Sequence, residues 1–293
     1  RARTLLDIAI KNADLLVKEF GPGKLSYEPE HQIIEIGLTK LYSVTEKREY
    51  LDLAKFFLDI RGHGKSGEYS QTHKPVIEQD EAVGHAVRVS YMYSGMAVIA
   101  DISAITGGES YINAINNNNI WDNMVTEKYY ITGGVLATDH GEAFRANYEL
   151  PNMSAYCETC VAIANVYWNY GLFLLHDGSK YYDVLERILY NGVMSGVSLS
   201  DDKFLYLNPL ESVGQHSISE WFGCACCPSN LSRFIPSIPG YIYAQKDDNV
   251  YVNLFVESDS KLIVEGVDVG LSQTTNYPWD GDIQFTVHTE TNS

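Results

Sequence analysis

The sequence has little positive charge and no long apolar run. Its 21 Lys and Arg residues face 38 Asp and Glu residues, which gives a formal net charge of −17. That balance argues against nucleic acid or an anionic membrane surface as a partner. No apolar segment approaches the roughly 18 residues that a membrane-spanning helix requires, so a membrane protein is not expected.

The composition also lacks the signature of a disordered chain. Hydrophobic residues make up 45% of the 293 residues, whereas disorder requires low hydrophobicity. Such a length supports one large domain or two ordinary ones. The 21 tyrosines outnumber the 10 phenylalanines and 4 tryptophans. Tyrosine combines a flat apolar face with a hydroxyl, which suits a sugar-like ligand but also packs into ordinary cores.

A repeated helical pattern occupies most of the chain. Apolar residues recur at helical spacing over 34–60, 92–111 and 163–189, each time as helix, tight turn, aromatic residue and helix. Three long links separate or follow these hairpins, at 61–81, 126–152 and about 198–239, and loops commonly carry function. The spacing predicts a mainly α fold, an (α/α)6 barrel or toroid that is incomplete at its N-terminus and covers residues 1–239.

The periodicity changes after Gly240. Segments 250–256, 261–264 and 283–288 are rich in β-branched and aromatic residues and predict strands. Helices followed by strands indicate a second domain, so residues 240–293 are predicted to begin a β-sandwich. Because the chain begins without Met and ends on a predicted strand, we expect it to be a piece of a longer protein.

Cysteine is scarce, and its five copies form two groups, Cys157 with Cys160 and Cys224 with Cys226 and Cys227. An odd count with a vicinal pair fits a disulfide framework poorly. Three interpretations stay open at this point. The thiols are buried small apolar residues, they hold a structural zinc, or they form a reactive site in which a metal lowers a thiol pKa. The run Cys-Ala-Cys-Cys departs from the usual Cys-x-x-Cys pattern and favours the third.

Two glutamates are candidate partners of the thiols. Glu142 lies in a glycine-bearing loop, and Glu158 lies between two cysteines. Glycosidases commonly use two carboxylates that flank the scissile bond, and here a carboxylate and a thiolate could divide those roles. A solvated surface charge is the ordinary alternative for either glutamate. His85 lies near a predicted helix start, where a histidine more often makes a structural hydrogen bond than takes part in catalysis.

Several sequence blocks together resemble glycoside hydrolase family 127, the β-L-arabinofuranosidases. They occur in order along nearly the whole chain, at 71–76, 84–88, 130–134, 141–144, 148–152, 158–160, 206–210 and 226–230. The resemblance implies an (α/α)6 barrel followed by β-sandwich domains, and exo-hydrolysis with retention of configuration. It implies a Zn²⁺ cofactor and release of β-linked L-arabinofuranose from glycans or glycopeptides.

The resemblance also implies roles for individual residues. The zinc ligands would be Glu158, Cys160, Cys226 and Cys227, with Cys226 as the nucleophile. Glu142 would be the general acid and base, and the sugar pocket would be lined by His85, Tyr206 and Cys224. Cys157 remains an ordinary core residue.

Two other functions remain open in the sequence. One is a glycan-binding module stapled by structural zinc, and the other is a different (α/α)6 sugar enzyme such as an epimerase or uronyl hydrolase. The need for reduced thiols favours the cytoplasm, whereas protection by zinc would permit the periplasm or export. The sequence does not indicate an oligomeric state.

Overall fold

The computed structural model describes residues 2–63, 67–103, 109–117 and 119–289. The chain divides into two compact units, residues 1–231 and 232–293. Helices dominate the first unit, as the sequence predicts. They are α1 (Ala2–Glu19), α2 (Ile34–Thr45), α3 (Arg48–Asp59), α4 (Ala86–Ser103), α5 (Glu109–Asn117), α6 (Ile120–Glu127), α7 (Thr159–His176), α8 (Ser179–Ile188) and α9 (Cys226–Phe234).

The three predicted hairpins are α2 with α3, α4 with α5, and α7 with α8. Left-handed residues end the first helix of two of them, Glu46 after α2 and Asp177 after α7, as is common at helix C-termini. The predicted turn at 106–108 lies outside the described residues. The mainly helical fold class is confirmed, while the (α/α)6 closure and the domain limits 1–239 and 240–293 stay predictions.

Helices α4 and α7 pack against each other in the core of the first unit. Both are apolar around most of their circumference, which is typical of a helix buried on all sides. Their close approach depends on Gly171, where an added Cβ would lie 3.2 Å from the Cβ of Ala97. Cys160, in the first turn of α7, therefore lies on a rigid buried helix.

Two small antiparallel sheets form in the second unit. One pairs β1 (Tyr243–Lys246) with β2 (Asn249–Val252), and the other has the order β3 (Ser258–Val264), β4 (Val267–Thr275) and β5 (Ile283–Thr289). The predicted strand at 250–256 is too long, because β2 ends at Val252. The strands agree with the predicted change to β structure, and the β-sandwich itself stays a prediction.

Long loops join several of the helices. Short 3-10 turns interrupt them at Glu68–Ser70, Val76–Glu78, His140–Glu142 and Met194–Gly196, and a π-helical turn at Leu189–Val193 extends α8. The predicted third link, residues 198–239, is wrong in part because α9 lies within it. None of the described helices is both long and apolar enough to cross a bilayer.

Candidate metal centre and active site

The two cysteine groups of the sequence meet in the first unit. Single donor atoms of Glu158, Cys160, Cys226 and Cys227 all lie within 4.8 Å of one another. The Sγ atoms of Cys160 and Cys227 are 3.5 Å apart, and Glu158 Oε1 lies 3.5 Å from Sγ of both Cys226 and Cys227. The four residues, here called the thiol cluster, are therefore assembled from segments more than 60 positions apart in sequence.

Two helix N-termini supply the thiol cluster. Glu158 is the residue before α7, whose second residue is Cys160, and α9 begins with Cys226 and Cys227. Helix N-termini carry partial positive charge and stabilise anions close to them. Pro228 follows in the first turn of α9, where a missing backbone N–H leaves no helical hydrogen bond unmade. The local sequence thus places four acidic donors at two positive helix ends.

Burial makes these donors suitable for a cation. Glu158, Cys160 and Cys227 are almost fully buried. Burial, followed by the charge of Cys226, raises the pKa of Glu158 to about 8. Its Oε2 atom has no hydrogen-bond partner among the described residues. A buried carboxylate oxygen without a partner costs free energy, and a metal ion would supply the missing interaction. Three thiols and one carboxylate are a donor set that suits Zn²⁺.

Cys226 is the member of the thiol cluster that is only partly buried. Its Sγ atom lies 3.3 Å from the Tyr206 hydroxyl oxygen. Contacts with the Sγ atoms of Cys160 and Cys227 lower the pKa of the Cys226 thiol, and the Tyr206 hydroxyl contributes to the same effect. Hydrogen-bonding contacts with the neighbouring thiols raise the pKa values of Cys160 and Cys227, so Cys226 is the most acidic of the three thiols. Thiolate, rather than thiol, is the nucleophilic form of cysteine.

Glu142 faces the thiol cluster across a single hydroxyl. Tyr206 Oη lies 3.4 Å from Glu142 Oε1, and the Tyr156 hydroxyl donates to the same oxygen at 2.9 Å. His85 Nε2 lies 2.9 Å from the other oxygen, Oε2. Burial lowers the pKa of His85 although the carboxylate opposes this effect, which favours a neutral imidazole that donates a hydrogen bond. His85 and Tyr156 therefore orient the Glu142 carboxylate, and the Tyr206 hydroxyl contacts both this carboxylate and Cys226.

The loops that carry His85 and Glu142 are bonded to each other. His85 pairs with Ala143 in an antiparallel bridge, and the Phe144 amide donates to the Gly84 carbonyl at 3.0 Å. Gly84 has φ of +73°, and an added Cβ would lie 2.0 Å from the Glu68 carbonyl oxygen. Only glycine fits this position, which explains the Gly-His pair in the sequence.

The side chain of Gln71 stabilises the loop that carries His85. This fully buried side chain donates from Nε2 to the carbonyls of Tyr69 at 3.1 Å and Val83 at 3.0 Å, and it accepts from Gln32 Nε2 at 2.7 Å. The backbone of Gln71 is left-handed, with φ of 56°. A neutral amide that both donates and accepts can link three segments at once. His85 is consequently held on a rigid loop.

An open cleft of about 570 Å³ lies in front of Glu142. We call it the Glu142 cleft; its lining includes Tyr156, Tyr206, Phe222 and Cys224. Cys224 is exposed, so the structure separates this thiol from the buried cluster and places it at the cleft. The structure therefore gathers Glu142, Tyr206 and Cys224 at one opening, with His85 behind Glu142 and the thiol cluster behind Tyr206.

Cys157 lies outside the thiol cluster despite its place next to Glu158. It is buried in a small group with Tyr130, Ala137 and Ala155. Burial raises the pKa of its thiol to about 12, so it stays protonated. An added Cβ at Gly134 would lie 2.8 Å from its Sγ atom, which shows how tightly it is packed. Cys157 is a core residue, as the sequence analysis assigned it.

Sequence reasoning missed Tyr156 and His31. Tyr156 bonds Glu142, and its position directly before Cys157 and Glu158 was the available signal. His31 packs its ring against Tyr91, with centroids 5.7 Å apart. Desolvation, together with the charges of Arg88 and His85, lowers the pKa of His31 to about 4. Nothing in the local sequence of His31 distinguishes it from a surface histidine.

Comparisons with known proteins identify the family of this chain. The family model for the GH127 β-L-arabinofuranosidase catalytic domain matches residues 1–240, and the model for the GH127 middle domain matches residues 249–293. A non-reducing end β-L-arabinofuranosidase of Bifidobacterium longum subsp. longum is 34% identical in an alignment that covers 96% of this chain and 47% of the relative.

Two solved structures resemble the chain closely. A GH127 β-arabinofuranosidase shares 60% identity with a TM-score of 0.92, over 97% of this chain and 45% of that one. A GH127 β-L-arabinofuranosidase from Geobacillus stearothermophilus T6 shares 41% identity with a TM-score of 0.89, over 98% and 49%. The chain thus spans about half the length of these relatives. It belongs to glycoside hydrolase family 127.

Proposed function

We propose that the protein is a retaining β-L-arabinofuranosidase that removes L-arabinofuranose from the non-reducing end of a glycan. The observation that carries this proposal is the single Tyr206 hydroxyl within 3.3 Å of Cys226 Sγ and 3.4 Å of Glu142 Oε1. A nucleophile and an acid are thereby kept within two hydrogen-bond lengths of each other. Retaining glycosidases pair an acid with a side-chain nucleophile, whereas inverting glycosidases activate a water in its place.

Two displacements at the anomeric carbon account for the reaction. The Cys226 thiolate attacks this carbon while the acid form of Glu142 gives its proton to the departing oxygen, so a C–S bond forms as the C–O bond breaks. The Glu142 carboxylate then takes a proton from water, the water oxygen replaces sulfur, and the thiolate is regenerated. Each displacement inverts the carbon, so two restore the starting configuration.

Three neighbours assist Glu142 and Cys226. His85 and Tyr156 hold the carboxylate in one orientation. Tyr206 contacts both reacting groups, so it can follow the negative charge from sulfur to carboxylate as the first step proceeds. Positioned donors of this kind stabilise developing charge without reorganising during the reaction.

We further propose that Glu158, Cys160, Cys226 and Cys227 hold Zn²⁺. When bound, the ion would supply the positive charge that keeps coordinating thiols deprotonated at neutral pH. The ligands come from two helix starts, so the metal would also fix α7 against α9.

A set of nitrophenyl glycosides, assayed in reductant, tests the proposed activity. We expect the β-L-arabinofuranoside to be cleaved faster than the other sugars by about a hundredfold or more, because a site built on hydrogen bonds rejects mismatched hydroxyls. Proton NMR should show the β-anomer of arabinose as the first product. Binding of the sugar without release of nitrophenol would indicate a glycan-binding module, and early appearance of the α-anomer would contradict retention.

Removal of zinc should lower both activity and thermal stability. A chelator used with reductant is expected to reduce the melting temperature, because a ligand that binds only the folded state stabilises it, and zinc should restore both properties. Glu158→Ala should weaken zinc affinity by at least about a hundredfold. Elemental analysis and thermal melts measure these effects.

Cys157→Ala is the matched control for this experiment, since Cys157 is an equally buried thiol neighbour outside the cluster. It should keep its zinc. If the chelated protein kept full activity and its original melting temperature, the metal proposal would be wrong.

A further inference from the structure

A second open cleft lies beside the Glu142 cleft. It measures about 630 Å³, and it is lined by six polar side chains that the Glu142 cleft lacks, Thr132, Asn152, Asn191, Ser195, Asn208 and Ser212. We call it the Asn191 cleft. Neither the proposed mechanism nor the thiol cluster uses any of these six side chains for chemistry.

The two clefts share one wall. Leu205, Leu207, His216 and Ser217 line both of them. Tyr206 lies between the two shared leucines, and its side chain belongs to the Glu142 cleft. A molecule bound at Glu142 could therefore continue over this wall into the Asn191 cleft.

The chemistry of the Asn191 cleft suits a neutral ligand with many hydroxyls. Among the described residues its lining contains carboxamides, hydroxyls, apolar side chains and the imidazole of His216, and it contains no Lys, Arg, Asp or Glu. A carboxamide both donates and accepts hydrogen bonds, as a sugar hydroxyl does. The aliphatic side chains of Leu205, Leu207 and Pro209 offer contact to the C–H faces of a sugar ring.

Hydrogen bonds to neighbouring residues orient two asparagines of the Asn191 cleft. The Asn208 amide nitrogen donates to the Cys157 carbonyl at 3.2 Å and to Thr159 Oγ1 at 3.0 Å. Asn191 Nδ2 donates to the Arg187 carbonyl at 2.9 Å, so its orientation is fixed. Asn191 Oδ1 and the side-chain amide of Asn152 have no hydrogen-bond partner within the described part of the chain. Both remain available to a ligand.

We propose that the Asn191 cleft binds the sugar residue next to the one that is released. This residue carries the oxygen that Glu142 protonates, and it leaves with a new hydroxyl. The inference rests on the proposed function, because it assigns the leaving group of that reaction. It predicts selection for an uncharged glycan rather than for a peptide or an anionic sugar.

Two substrates with the same β-L-arabinofuranosyl group but different leaving groups test the proposal. One is the nitrophenyl glycoside, and the other is a neutral oligosaccharide that carries this sugar at its non-reducing end. The double variant Asn152→Ala with Asn191→Ala should lower kcat/KM for the oligosaccharide by about tenfold or more, because each lost hydrogen bond weakens binding several-fold. The same variant should change kcat/KM for the nitrophenyl glycoside by less than about twofold.

Asn117→Ala is the matched control, since this exposed asparagine on α5 lines neither cleft. It should leave both substrates unaffected. Equal losses on the two substrates, or an unchanged rate on the oligosaccharide, would overturn the proposal.

A binding titration separates failure of the inference from failure of the proposed function. If the protein cleaves neither substrate, the proposed function is wrong, and the Asn191 cleft is still tested by calorimetry with the oligosaccharide. Binding that is weakened in the double variant and kept in Asn117→Ala would support a glycan site. An absence of binding to the unaltered protein would refute it.

Discussion

Replacing Cys226 by serine is expected to abolish turnover while the protein remains folded. A serine hydroxyl stays protonated where a thiolate would form, and a weak nucleophile cannot make the first displacement. Loss of a nucleophile commonly lowers kcat by about 10⁴-fold or more. Steady-state assays on the nitrophenyl glycoside measure the rate, and circular dichroism with thermal melts checks the fold. We expect the melting temperature to fall less than after complete removal of zinc, because the variant loses one of the four proposed ligands and keeps the other three.

Cys157→Ala again provides the control, because it removes a thiol three positions from Cys160 but outside the thiol cluster. It should keep kcat/KM within a few-fold of the unaltered protein and lose some stability through the small cavity it creates. A Cys226→Ser variant that retained a normal rate would eliminate the nucleophile assignment.

Replacing Glu142 by glutamine should slow substrates according to their leaving groups. Glutamine cannot give a proton to the departing oxygen, so kcat/KM for an alcohol leaving group should fall by about 10²–10⁴-fold. Nitrophenolate leaves without a proton, so kcat/KM for the nitrophenyl glycoside should change far less. The second displacement also loses its base, and a burst of nitrophenol followed by slow turnover is expected. Rapid-mixing measurements on the two substrates would reveal this pattern.

The matched control is Glu149→Gln, the same chemical change in the same loop. Glu149 forms an exposed ion pair with Arg145. Exposed pairs contribute little, so both substrates should be cleaved normally. Equal losses of kcat/KM on both substrates in Glu142→Gln would count against its role as the acid.

The helical hairpins were accessible from the sequence because their evidence is local. Apolar residues at 34, 38 and 41 form one helix face regardless of the rest of the protein, and α2 covers them. Helix α9 was missed because it is short and its first residues are two cysteines and a proline, which carry no helical periodicity. Strand β4 was missed as well, since Gly270 and several hydroxyl side chains interrupt its apolar alternation.

The residue types of the site could also be predicted from the sequence. The sequence contains two adjacent cysteines, a glutamate that lies between two further cysteines, and a glutamate in a glycine-bearing loop. These residues restrict the chemistry to thiols and carboxylates. Spacing alone did not predict which of the five thiols lie together. Cys157 and Cys160 are three positions apart, yet only the second reaches the thiol cluster, because Cys157 precedes α7 and turns into a separate core.

The sequence by itself determined the mainly helical fold, the negative net charge that argues against nucleic acid as a partner, and the donors available for chemistry. The tertiary structure alone decided that the starts of α7 and α9 meet, which brings Glu158 and Cys160 to Cys226 and Cys227. It also decided that Tyr206 lies between Cys226 and Glu142. The physical reason is range: helix periodicity acts over a few residues, whereas these contacts join loops held by packing between distant helices.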